Sequence, residues 1–407
     1  MKVAIVGGGA AGMMCAAVLS QKNFDGEIYL IEKNAVLGYK VMISGGGRCN
    51  VTTGIWDIPE ILERYPRGKN FLKFAMHVNS PEVIYNWFER NGVELKIEED
   101  LRVFPKSNTG KDIVKVFDHI FQKNEVRVGL RQSVVEVKKV EEKFELTMSD
   151  KSVLTVDKLV LTTGGQAYRH TGSTGDGYSF AANFGHTITN LAPSLNAFIL
   201  KESWVKDLAG VSFKKVGLKL NLGKKFEFKG PILFTHKGIT GPAVFAMSSL
   251  AAYELADSKV EYTLNVDFLP DMKHTELEAA LKTSLNQNPK KLFKNMDLFV
   301  PRSVGAVVLK TLGINESKAN NELSKSEINR TIEILKNFPV TIIGQSAGDE
   351  FVTAGGIDLK EIDSKTMESK LCKNLYFAGE IMDIDGFTGG FNLQAAWATG
   401  KLAGESI

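Results

Sequence analysis

The residues with the clearest chemical role are the glycines of the first turn and an acidic residue about twenty positions beyond them. Gly7, Gly9 and Gly12 form a Gly-x-Gly-x-x-Gly pattern, and Glu32 ends the next apolar run. Glycine at these positions permits a tight turn and lets the backbone approach a pyrophosphate closely, while a carboxylate at the end of a second strand accepts hydrogen bonds from ribose hydroxyls. The pattern therefore predicts a dinucleotide site, and at this point it leaves FAD and NAD both open.

Three segments must position these glycines and Glu32. Residues 2–6 form a short run rich in β-branched side chains, which is typical of a strand buried on both faces. Residues 13–21 are rich in Ala, Leu and Met and contain no Pro or Gly, which predicts a helix, and residues 28–31 predict a second strand. The N-terminus of that helix would present free N–H groups and a partial positive charge to the phosphates. The alternative is a Gly-rich turn in another kind of α/β protein.

Three later Gly-rich segments also suit close contact with a ligand. Residues 44–50 are Ser-Gly-Gly-Gly-Arg-Cys-Asn, in which Arg48 supplies hydrogen-bond donors; the alternative is a flexible surface loop. Residues 158–165 predict a buried strand that ends in Thr-Thr-Gly-Gly. Residues 375–380 predict a strand that ends in Gly-Glu, and a Gly-rich turn then leads into a helix. The first N–H groups of that helix, at residues 390–393, are available to a ligand in front of them.

Two of the six histidines are candidate catalytic residues. His236 lies in Phe-Thr-His-Lys-Gly-Ile-Thr-Gly-Pro, just before a predicted helix over residues 243–252 whose N-terminus suits an anion or a carbonyl oxygen. A tight turn with a hydrogen-bonded histidine explains His236 equally well. His170 follows the Thr-Thr-Gly-Gly segment and is the second candidate for a position facing a bound ligand.

The composition is that of a globular protein, and 407 residues suffice for two or three domains. A formal net charge of +3 is too small to argue by itself for nucleic acid or a membrane as partner. No apolar run is long enough to span a bilayer, and the chain starts directly with a core strand, so we expect a cytoplasmic protein without a secretory signal. The three cysteines, Cys15, Cys49 and Cys372, have no metal-ligand or redox-pair spacing, so we expect neither a metal site nor a redox dithiol.

The pattern of apolar and polar residues changes twice in the remaining chain. Residues 126–161 predict a β-meander, which leads into the Thr-Thr-Gly-Gly segment. Residues 194–265 alternate apolar and polar side chains between Gly turns, which predicts an all-β insert. Residues 274–337 have helical spacing and predict a small helical bundle, and residues 340–343 return to strand. The expected division is a discontinuous domain of residues 1–190 and 346–407, a β-rich insert domain of residues 191–268, and a small helical insert subdomain of residues 269–345.

In this order and spacing the motifs resemble those of the flavoproteins with two dinucleotide-binding domains, the glutathione reductase-like and fumarate reductase-like superfamily. The closer resemblance is to the HI0933-like flavoproteins, also called the YhiN or BaiN-like family. The matching stretches are SGGGRCN at 44–50, LTTGGQAYRHTGSTGDGY at 161–178, FTHKGITGP at 234–242, TAGGI at 353–357 and LYFAGEIMDIDGFTGGFNLQAAWATG at 375–400. The resemblance implies an α/β fold, in which a Rossmann-like, glutathione reductase-like FAD-binding domain carries the two inserts.

The same resemblance implies FAD as cofactor and assigns residues to its parts. The residues carried over are Gly7, Gly9, Ala11 and Gly12 at the pyrophosphate; Glu32 at the adenosine ribose with Lys33 beside it; Lys40, Ser44, Gly45, Gly47, Arg48 and Asn50 along the ribityl chain, with Cys49 packed in the same loop; Val134 at the adenine; Thr163 and Gly164 on the pyrophosphate side; Gly379 and Glu380 at ribityl or phosphate-linked oxygens; and Gly390, Phe391, Asn392 and Leu393 at the flavin pyrimidine edge.

The resemblance further implies an FAD-dependent oxidoreductase that transfers a hydride through flavin N5 to a polarised C=C bond of a small molecule. Because the chain has no second Gly-x-Gly-x-x-Gly between strand and helix, either NADH or NADPH docks transiently as electron donor, or another donor reduces FAD. Three alternatives remain open at this point: a reductase that converts RNA uridine to dihydrouridine, an amine oxidase, and a flavin-binding protein without catalysis.

Overall fold

The protein is described from a computed structural model, which describes residues 1–22, 24–256, 260–287, 292–346 and 350–407. The chain forms two compact units. The discontinuous unit comprises Met1–Ser194 and Glu350–Ile407, and the insert unit comprises Leu195–Asp349. The two ranges that we expected to form separate inserts, 191–268 and 269–345, thus lie almost entirely in one unit.

The described residues form strands and helices as follows. The strands are β1 (Lys2–Val6), β2 (Glu27–Glu32), β3 (Thr52–Thr53), β4 (Leu95–Ile97), β5 (Arg102–Pro105), β6 (Arg127–Leu130), β7 (Val134–Val140), β8 (Lys143–Met148), β9 (Val153–Val156), β10 (Lys158–Leu161), β11 (Ala192–Ser194), β12 (Phe198–Leu200), β13 (Ser212–Asn221), β14 (Lys225–Phe234), β15 (Gly238–Thr240), β16 (Tyr262–Asp267), β17 (Phe338–Gln345), β18 (Val352–Ala354) and β19 (Leu375–Phe377). The helices are α1 (Ala10–Gln21), α2 (Tyr39–Ile43), α3 (Ile58–Leu62), α4 (Leu72–Val78), α5 (Pro81–Arg90), α6 (Gly110–Lys123), α7 (Asp176–Asn183), α8 (Pro242–Leu250), α9 (His274–Gln287), α10 (Leu292–Met296), α11 (Arg302–Leu312), α12 (Lys325–Lys336) and α13 (Phe391–Ser406).

A parallel sheet with the strand order β19-β10-β1-β2-β6 forms the centre of the discontinuous unit. Residues Val3, Ala4 and Ile5 of β1 have no exposed surface, which confirms the prediction of a strand buried on both faces. Because the strands are parallel, their carboxyl ends meet at one edge of the sheet, where open α/β folds bind ligands. The predicted meander begins later than expected: β6 pairs in parallel with β2, and only β7, β8 and β9 form the antiparallel meander.

The two ends of the chain come together in this unit. Strand β10 lies between β1 and β19, and helices α1 and α13 pack against each other. A Cβ atom on Gly400 would lie 2.3 Å from the backbone oxygen of Ala11, and one on Gly404 would lie 2.6 Å from that of Cys15. Glycine at these two positions permits the close contact of α1 with α13.

The insert unit contains a closed antiparallel barrel with the strand order β12-β15-β14-β13-β16-β17. Its interior is apolar and includes Leu218, Phe234, Val266 and Phe338, each at most 2% exposed. The predicted β-rich segment is thus confirmed as a barrel. The helices α9 to α12 follow β16 in the sequence, and the next strand, β17, returns to pair with β16 and β12, so the helical segment is an insertion within the barrel.

Candidate dinucleotide site

The first turn joins β1 to α1 and leaves open space where a ligand would approach. A Cβ on Gly12 would lie 1.9 Å from the backbone oxygen of Gly7, and one on Gly7 would lie 2.5 Å from that of Thr162. These two glycines are therefore required by the fold of the turn itself. A Cβ on Gly9, by contrast, would meet no atom within 4 Å. Helix α1 starts after Gly9 without a side-chain cap, so its first N–H groups remain available to an anion such as a pyrophosphate.

Glu32 lies at the carboxyl end of β2, and its side chain binds the first turn. Its two carboxylate oxygens accept hydrogen bonds from the N–H groups of Gly8, at 2.7 Å, and Asn34, at 2.8 Å. A carboxylate has further acceptor sites, which suit ribose hydroxyls. Lys33, expected beside the ribose, is bound to the first turn of α7, where its Nζ lies 2.6 Å from the carboxylate of Asp176.

Glu380 links three segments at the carboxyl ends of the strands. One carboxylate oxygen lies 2.8 Å from Nζ of Lys40, and the other accepts the N–H of Thr353 at 3.0 Å. The hydroxyl of Thr353 accepts the N–H groups of Gln166, at 2.7 Å, and Ala167, at 3.1 Å. Thr353 thereby holds the loop after β10 in place. The motif TAGGI marks this region in the sequence, but only the structure shows that Thr353 has this role.

The loop 44–50 lies between α2 and β3 and has an unusual backbone. Gly45, Gly46 and Gly47 all have positive φ, and a Cβ on Gly46 or Gly47 would meet no atom within 4 Å. Open backbone of this kind fits the predicted contact with a ligand. Asn50 accepts the N–H of Val103, and the hydroxyl of Ser44 donates to the oxygen of Val41.

Arg48, predicted to lie along a ribityl chain, is held by partners within the protein. Its guanidinium lies 2.7 Å from the carboxylate of Glu98 and 3.7 Å above the centre of the Phe104 ring. Because Glu98 is fifty positions away in the sequence, no local pattern could indicate this pair. The guanidinium has five donors, so the contact with Glu98 still leaves others for a ligand.

The cysteines are inert in this structure. Cys15, Cys49 and Cys372 are all free and buried. Burial raises the pKa of the Cys49 thiol and of the Cys15 thiol to about 12, and it also raises the pKa of Cys372. A thiolate is the reactive form of cysteine, so none of the three is prepared for redox chemistry at neutral pH.

The N-terminus of α13 is held in place by side chains and has no side-chain cap. Gly390 has φ +92°, and a Cβ there would lie 2.3 Å from the backbone oxygen of Thr52. The side-chain amide of Asn392 pairs with both backbone groups of Gly386, at 2.7 and 2.8 Å, and the hydroxyl of Tyr65 donates to the oxygen of Phe391. The first N–H groups of α13 therefore extend from a backbone that these hydrogen bonds hold in place.

Other predicted contacts lie on the same unit. Thr163 and Gly164 follow β10, and the buried hydroxyl oxygen of Thr163 has no hydrogen-bond partner among the described residues. Val134 begins β7 and is 9% exposed. Gly379, with φ +80°, donates its N–H to the hydroxyl of Thr399. An orphaned buried hydroxyl beside a Gly-rich segment is consistent with a bound ligand there.

The two candidate histidines are both exposed. His236 lies in the turn between β14 and β15 of the insert unit. His170 belongs to the discontinuous unit, where its ring contacts the ring of Tyr168, with the centroids 5.5 Å apart. Tyr168 has φ +55° and stacks on Phe351, a feature for which the sequence gives no signal. The described residues contain no group of His, Cys, Asp and Glu side chains suited to a metal ion, and no described helix is long and apolar enough to cross a membrane.

The open space at Gly9, the uncapped N-termini of α1 and α13, the position of Glu32 and the orphaned Thr163 hydroxyl all fit FAD. Together with the Rossmann-like fold they define an FAD-dependent oxidoreductase. Two solved structures share this fold. One is the open conformation of a flavocytochrome c3 fumarate reductase, with a TM-score of 0.52, 14% identity, and coverage of 100% of this chain and 77% of that chain. The other is 3-ketosteroid-Δ4-(5α)-dehydrogenase from Rhodococcus jostii RHA1, with a TM-score of 0.52, 12% identity, and coverage of 99% and 96%.

The chain belongs to the HI0933-like family, because the sequence model for the HI0933-like protein Rossmann domain matches residues 1–406. It is 29% identical to the 3-dehydro-bile acid Δ(4,6)-reductase of Clostridium scindens, over 100% of this chain and 98% of the relative. It is 30% identical to the ribosomal RNA dihydrouridine synthase of Escherichia coli, over 99% of this chain and 97% of the relative. The resemblance inferred from the motifs is confirmed, and with it the expectation of FAD.

Proposed function

We propose that this protein reduces a C=C double bond conjugated to a carbonyl group in a small organic substrate, with NADH or NADPH as electron donor. The observation that carries the proposal is the chemistry shared by two relatives that match the chain over its whole length. One name describes reduction at the Δ4,6 positions of a 3-oxo bile acid, and the other describes the conversion of uridine to dihydrouridine. The substrates differ, but in both a ring C=C bond beside a carbonyl becomes saturated.

The residues of this chain support such a reaction in two ways. Bound FAD supplies the hydride in reductions of this type. The uncapped N-terminus of α13 carries a partial positive charge that would stabilise the negative charge of a reduced flavin ring bound in front of it, and Asn392 fixes that N-terminus through its hydrogen bonds to Gly386. The buried, protonated thiols of Cys15, Cys49 and Cys372 do not suit a dithiol relay.

The test is anaerobic reduction of the purified holoenzyme with NADH and, separately, NADPH, followed by addition of a panel of enones. We expect bleaching of the flavin absorbance with one of the two donors and its recovery with an enone. Recovery only with molecular oxygen, and with none of the enones, would contradict the proposal. Failure of both donors to bleach the flavin, while dithionite bleaches it and enones restore it, would contradict only the choice of donor.

A second candidate, reduction of uridine in RNA, is favoured by one feature of the insert unit. The hairpin of β13 and β14 carries six exposed lysines and a single acidic residue, Glu227, over residues 212–229. The lysines are Lys214, Lys215, Lys219, Lys224, Lys225 and Lys229. Several positive side chains on one twisted ribbon suit a phosphate backbone, and binding to it depends steeply on salt.

The RNA candidate predicts a measurable salt slope. Replacement of Lys214, Lys219 and Lys224 by Gln should reduce the slope of log affinity against log salt by about 2, since each phosphate contact on a single strand accounts for about 0.7. The measurement is fluorescence anisotropy with a labelled oligoribonucleotide at several salt concentrations. The control carries the same change at Lys273, Lys282 and Lys325 in the helical segment. Equal slopes in the two variants would show that the hairpin does not contact RNA.

A further inference from the structure

A groove of the discontinuous unit lies between helix α6 and strand β6, away from the candidate cofactor site. Its volume is about 560 Å³. One wall carries the side chains of Val126, just before β6, and of Val128 and Leu130 within it. These side chains alternate along the strand and therefore face the same side of the sheet. Most of the other lining residues are apolar as well, among them Leu37 and Phe121.

The groove is open on the side where the central sheet ends. The strand order β19-β10-β1-β2-β6 ends at β6, and within the described ranges no strand or isolated bridge other than β2 pairs with it. Val128 is 37% exposed and Leu130 is 40% exposed, whereas Val126 is 8% exposed. In an edge strand, every second residue directs its N–H and C=O groups away from the sheet. An edge with exposed apolar side chains is therefore a surface on which another strand can pair.

Symmetry and charge select one register for the pairing of β6 with a second copy of itself. A two-fold axis perpendicular to the sheet makes the two strands antiparallel, and it must pass through a residue, because opposite residues share a face. With the axis at Val128, that residue lies opposite its own copy, and Val126 lies opposite Leu130 of the second copy. An axis one residue earlier or later would place Arg127 opposite its own copy or opposite Arg131 of the second copy. Like charges that are directly opposite each other are destabilising, so the axis at Val128 is favoured.

The side of α6 that lines the groove carries a polar row that complements its own copy. The row consists of Lys111, Lys115, Asp118 and Gln122, which are spaced i, i+4, i+7 and i+11 and therefore follow one another along one side of the helix. The same two-fold axis would bring two such rows together in antiparallel orientation. About the centre of the row, Lys115 then faces Asp118 of the second copy, and Lys111 faces Gln122 of the second copy.

Asp118 is the member of this row that lacks a cation within the part of the chain that the structure describes. Partial burial raises the pKa of its carboxyl, and no ion pair or hydrogen bond offsets this. Lys115 makes an exposed ion pair with Asp112, at 2.8 Å, of a kind that contributes little to stability. A lysine from a second copy would therefore stabilise the carboxylate of Asp118, and Lys115 would give up no strong contact to supply it.

We infer that this protein forms a two-fold symmetric dimer in which the β6 strands of two copies pair antiparallel and join the two central sheets into one. The two α6 helices pack side by side over the junction, and Val128 and Leu130 of each copy cover the groove of the other. The partner is a second copy, because the row on α6 has lysines at one end and an unpaired carboxylate beyond them, a pattern that its own antiparallel copy matches. All of these residues belong to the discontinuous unit, so the inference does not depend on the proposed function.

The first test is sedimentation velocity of the purified holoenzyme over a range of concentrations. We expect the wild-type protein to sediment with the mass of two chains. Val128→Lys places two like charges opposite each other at the axis and should raise the dissociation constant of the dimer about a hundredfold. The matched control is Val153→Lys on β9, where the valine is 58% exposed, and it should leave the dimer intact. A monomeric wild-type protein, or a dimer that Val128→Lys does not weaken, would overturn the inference.

The second test is cross-linking, which reports the register of the two strands. Residues directly opposite each other in antiparallel strands are close enough for a disulfide. Val128→Cys should therefore link two chains on mild oxidation by air with a copper catalyst, which doubles the mass on a non-reducing gel. Val153→Cys should stay unlinked, and the native cysteines are all buried. Unlinked chains in a Val128→Cys protein that sediments as a dimer would contradict this register and overturn the inference.

The third test exchanges the charges on α6, where exposed side chains can be replaced without harm to the fold. Lys115→Glu and Asp118→Lys, each alone, set like charges against each other twice in the dimer, and each should raise the dissociation constant about tenfold. The double variant exchanges the two charges and should restore the wild-type dissociation constant. Rescue of this kind requires that the two positions meet across the interface. If the double variant is as weak as the single variants, or if the single variants do not weaken the dimer, the two helices do not meet as inferred.

Discussion

In the discontinuous unit the candidate cofactor site consists largely of backbone, whereas the barrel interior of the insert unit consists of apolar side chains. The cofactor site depends on glycines, on the N-termini of α1 and α13, and on one carboxylate, Glu32, at a strand end. The barrel interior depends on strand register, including a bulge at Ile343, which has no partner in the pairing of β17 with β12. A site made of backbone tolerates few substitutions at its glycines. A site made of side chains can bind a different ligand after a single substitution.

This difference would let related proteins keep the same fold of the cofactor site while they act on different substrates. Two relatives that match the whole chain act, by their names, on a bile acid and on ribosomal RNA. The comparison predicts that substitutions in the insert unit alter stability or substrate choice without altering affinity for FAD. Substitutions in the first turn should do the opposite. The predictions that follow test this separation.

The largest effect is expected for Lys336→Met in the insert unit. Its Nζ lies 2.8 Å from the carboxylate of Asp267, and it also donates to the backbone oxygens of Leu269 and Met272. Both charged side chains are largely buried, so removal of Lys336 leaves Asp267 unpaired and should lower the free energy of unfolding by about 3 kcal/mol. The measurement is urea denaturation, and FAD affinity should not change in the protein that remains folded.

The control for Lys336→Met is Lys215→Met, which removes an equally short ion pair, 2.7 Å, with Asp271. That pair is exposed, so its loss should change stability little. Equal destabilisation by the two variants would show that burial does not set the strength of these pairs. If the folded Lys336→Met variant loses FAD, substitutions in the insert unit do affect cofactor binding, and the expected independence of the two units is wrong.

An intermediate effect is expected for Gly9→Ala in the first turn. A Cβ at Gly9 meets no atom of the protein, so the melting temperature of the FAD-free protein should not change. The added methyl group would lie where the pyrophosphate approaches, and the dissociation constant for FAD should rise about tenfold to hundredfold. Flavin fluorescence titration measures it.

Two glycine controls sharpen the test of Gly9. Gly344→Ala in the insert unit also meets no atom within 4 Å and should leave FAD affinity unchanged. Gly12→Ala places a Cβ 1.9 Å from a backbone oxygen and should destabilise the FAD-free protein itself. An unchanged dissociation constant in Gly9→Ala would mean that the pyrophosphate does not lie at this turn.

Local signals explain what the sequence predicts correctly. Residues 2–6 carry a local signal, a run of β-branched side chains, and β1 forms over Lys2–Val6 as predicted. The Gly-x-Gly-x-x-Gly turn and the start of α13 at Phe391 are likewise fixed by neighbouring residues. The family resemblance identifies the cofactor for the same reason, because its motifs are short and contiguous.

Contacts between distant residues explain what the sequence does not show. Three features join segments that are far apart in the chain. They are the pairing of β6 with β2 instead of with the meander, the Arg48–Glu98 ion pair, and the hydrogen bonds of Thr353 to the loop after β10. The sequence of β17 alone does not predict the bulge at Ile343. Alternation along β17 would place Gln345 outside the barrel, and only the register of β17 with β12 places it inside.

The smallest effect is expected from His186, which tests whether the discontinuous unit also depends on buried side chains. Its Nδ1 lies 3.1 Å from the carboxylate of Glu361, and its Nε2 lies 2.7 Å from the hydroxyl of Ser369. That hydroxyl already accepts the N–H groups of Leu371 and Cys372, so its proton is donated to Nε2, and the ring is held neutral with its proton on Nδ1.

Burial lowers the pKa of His186 below its usual value, and the carboxylate of Glu361 offsets this only in part. The unfolded chain therefore binds a proton more readily than the folded one, so stability should fall as the pH drops below about 6.5, the ordinary value for histidine. Thermal denaturation between pH 7.5 and 5.0 measures the loss, and His186→Gln should flatten the profile over that range. His119→Gln, at an exposed position on α6, should keep the wild-type profile. If His186→Gln and the wild-type protein lose stability in parallel, the acid sensitivity arises elsewhere, and the neutral ring of His186 contributes nothing to it.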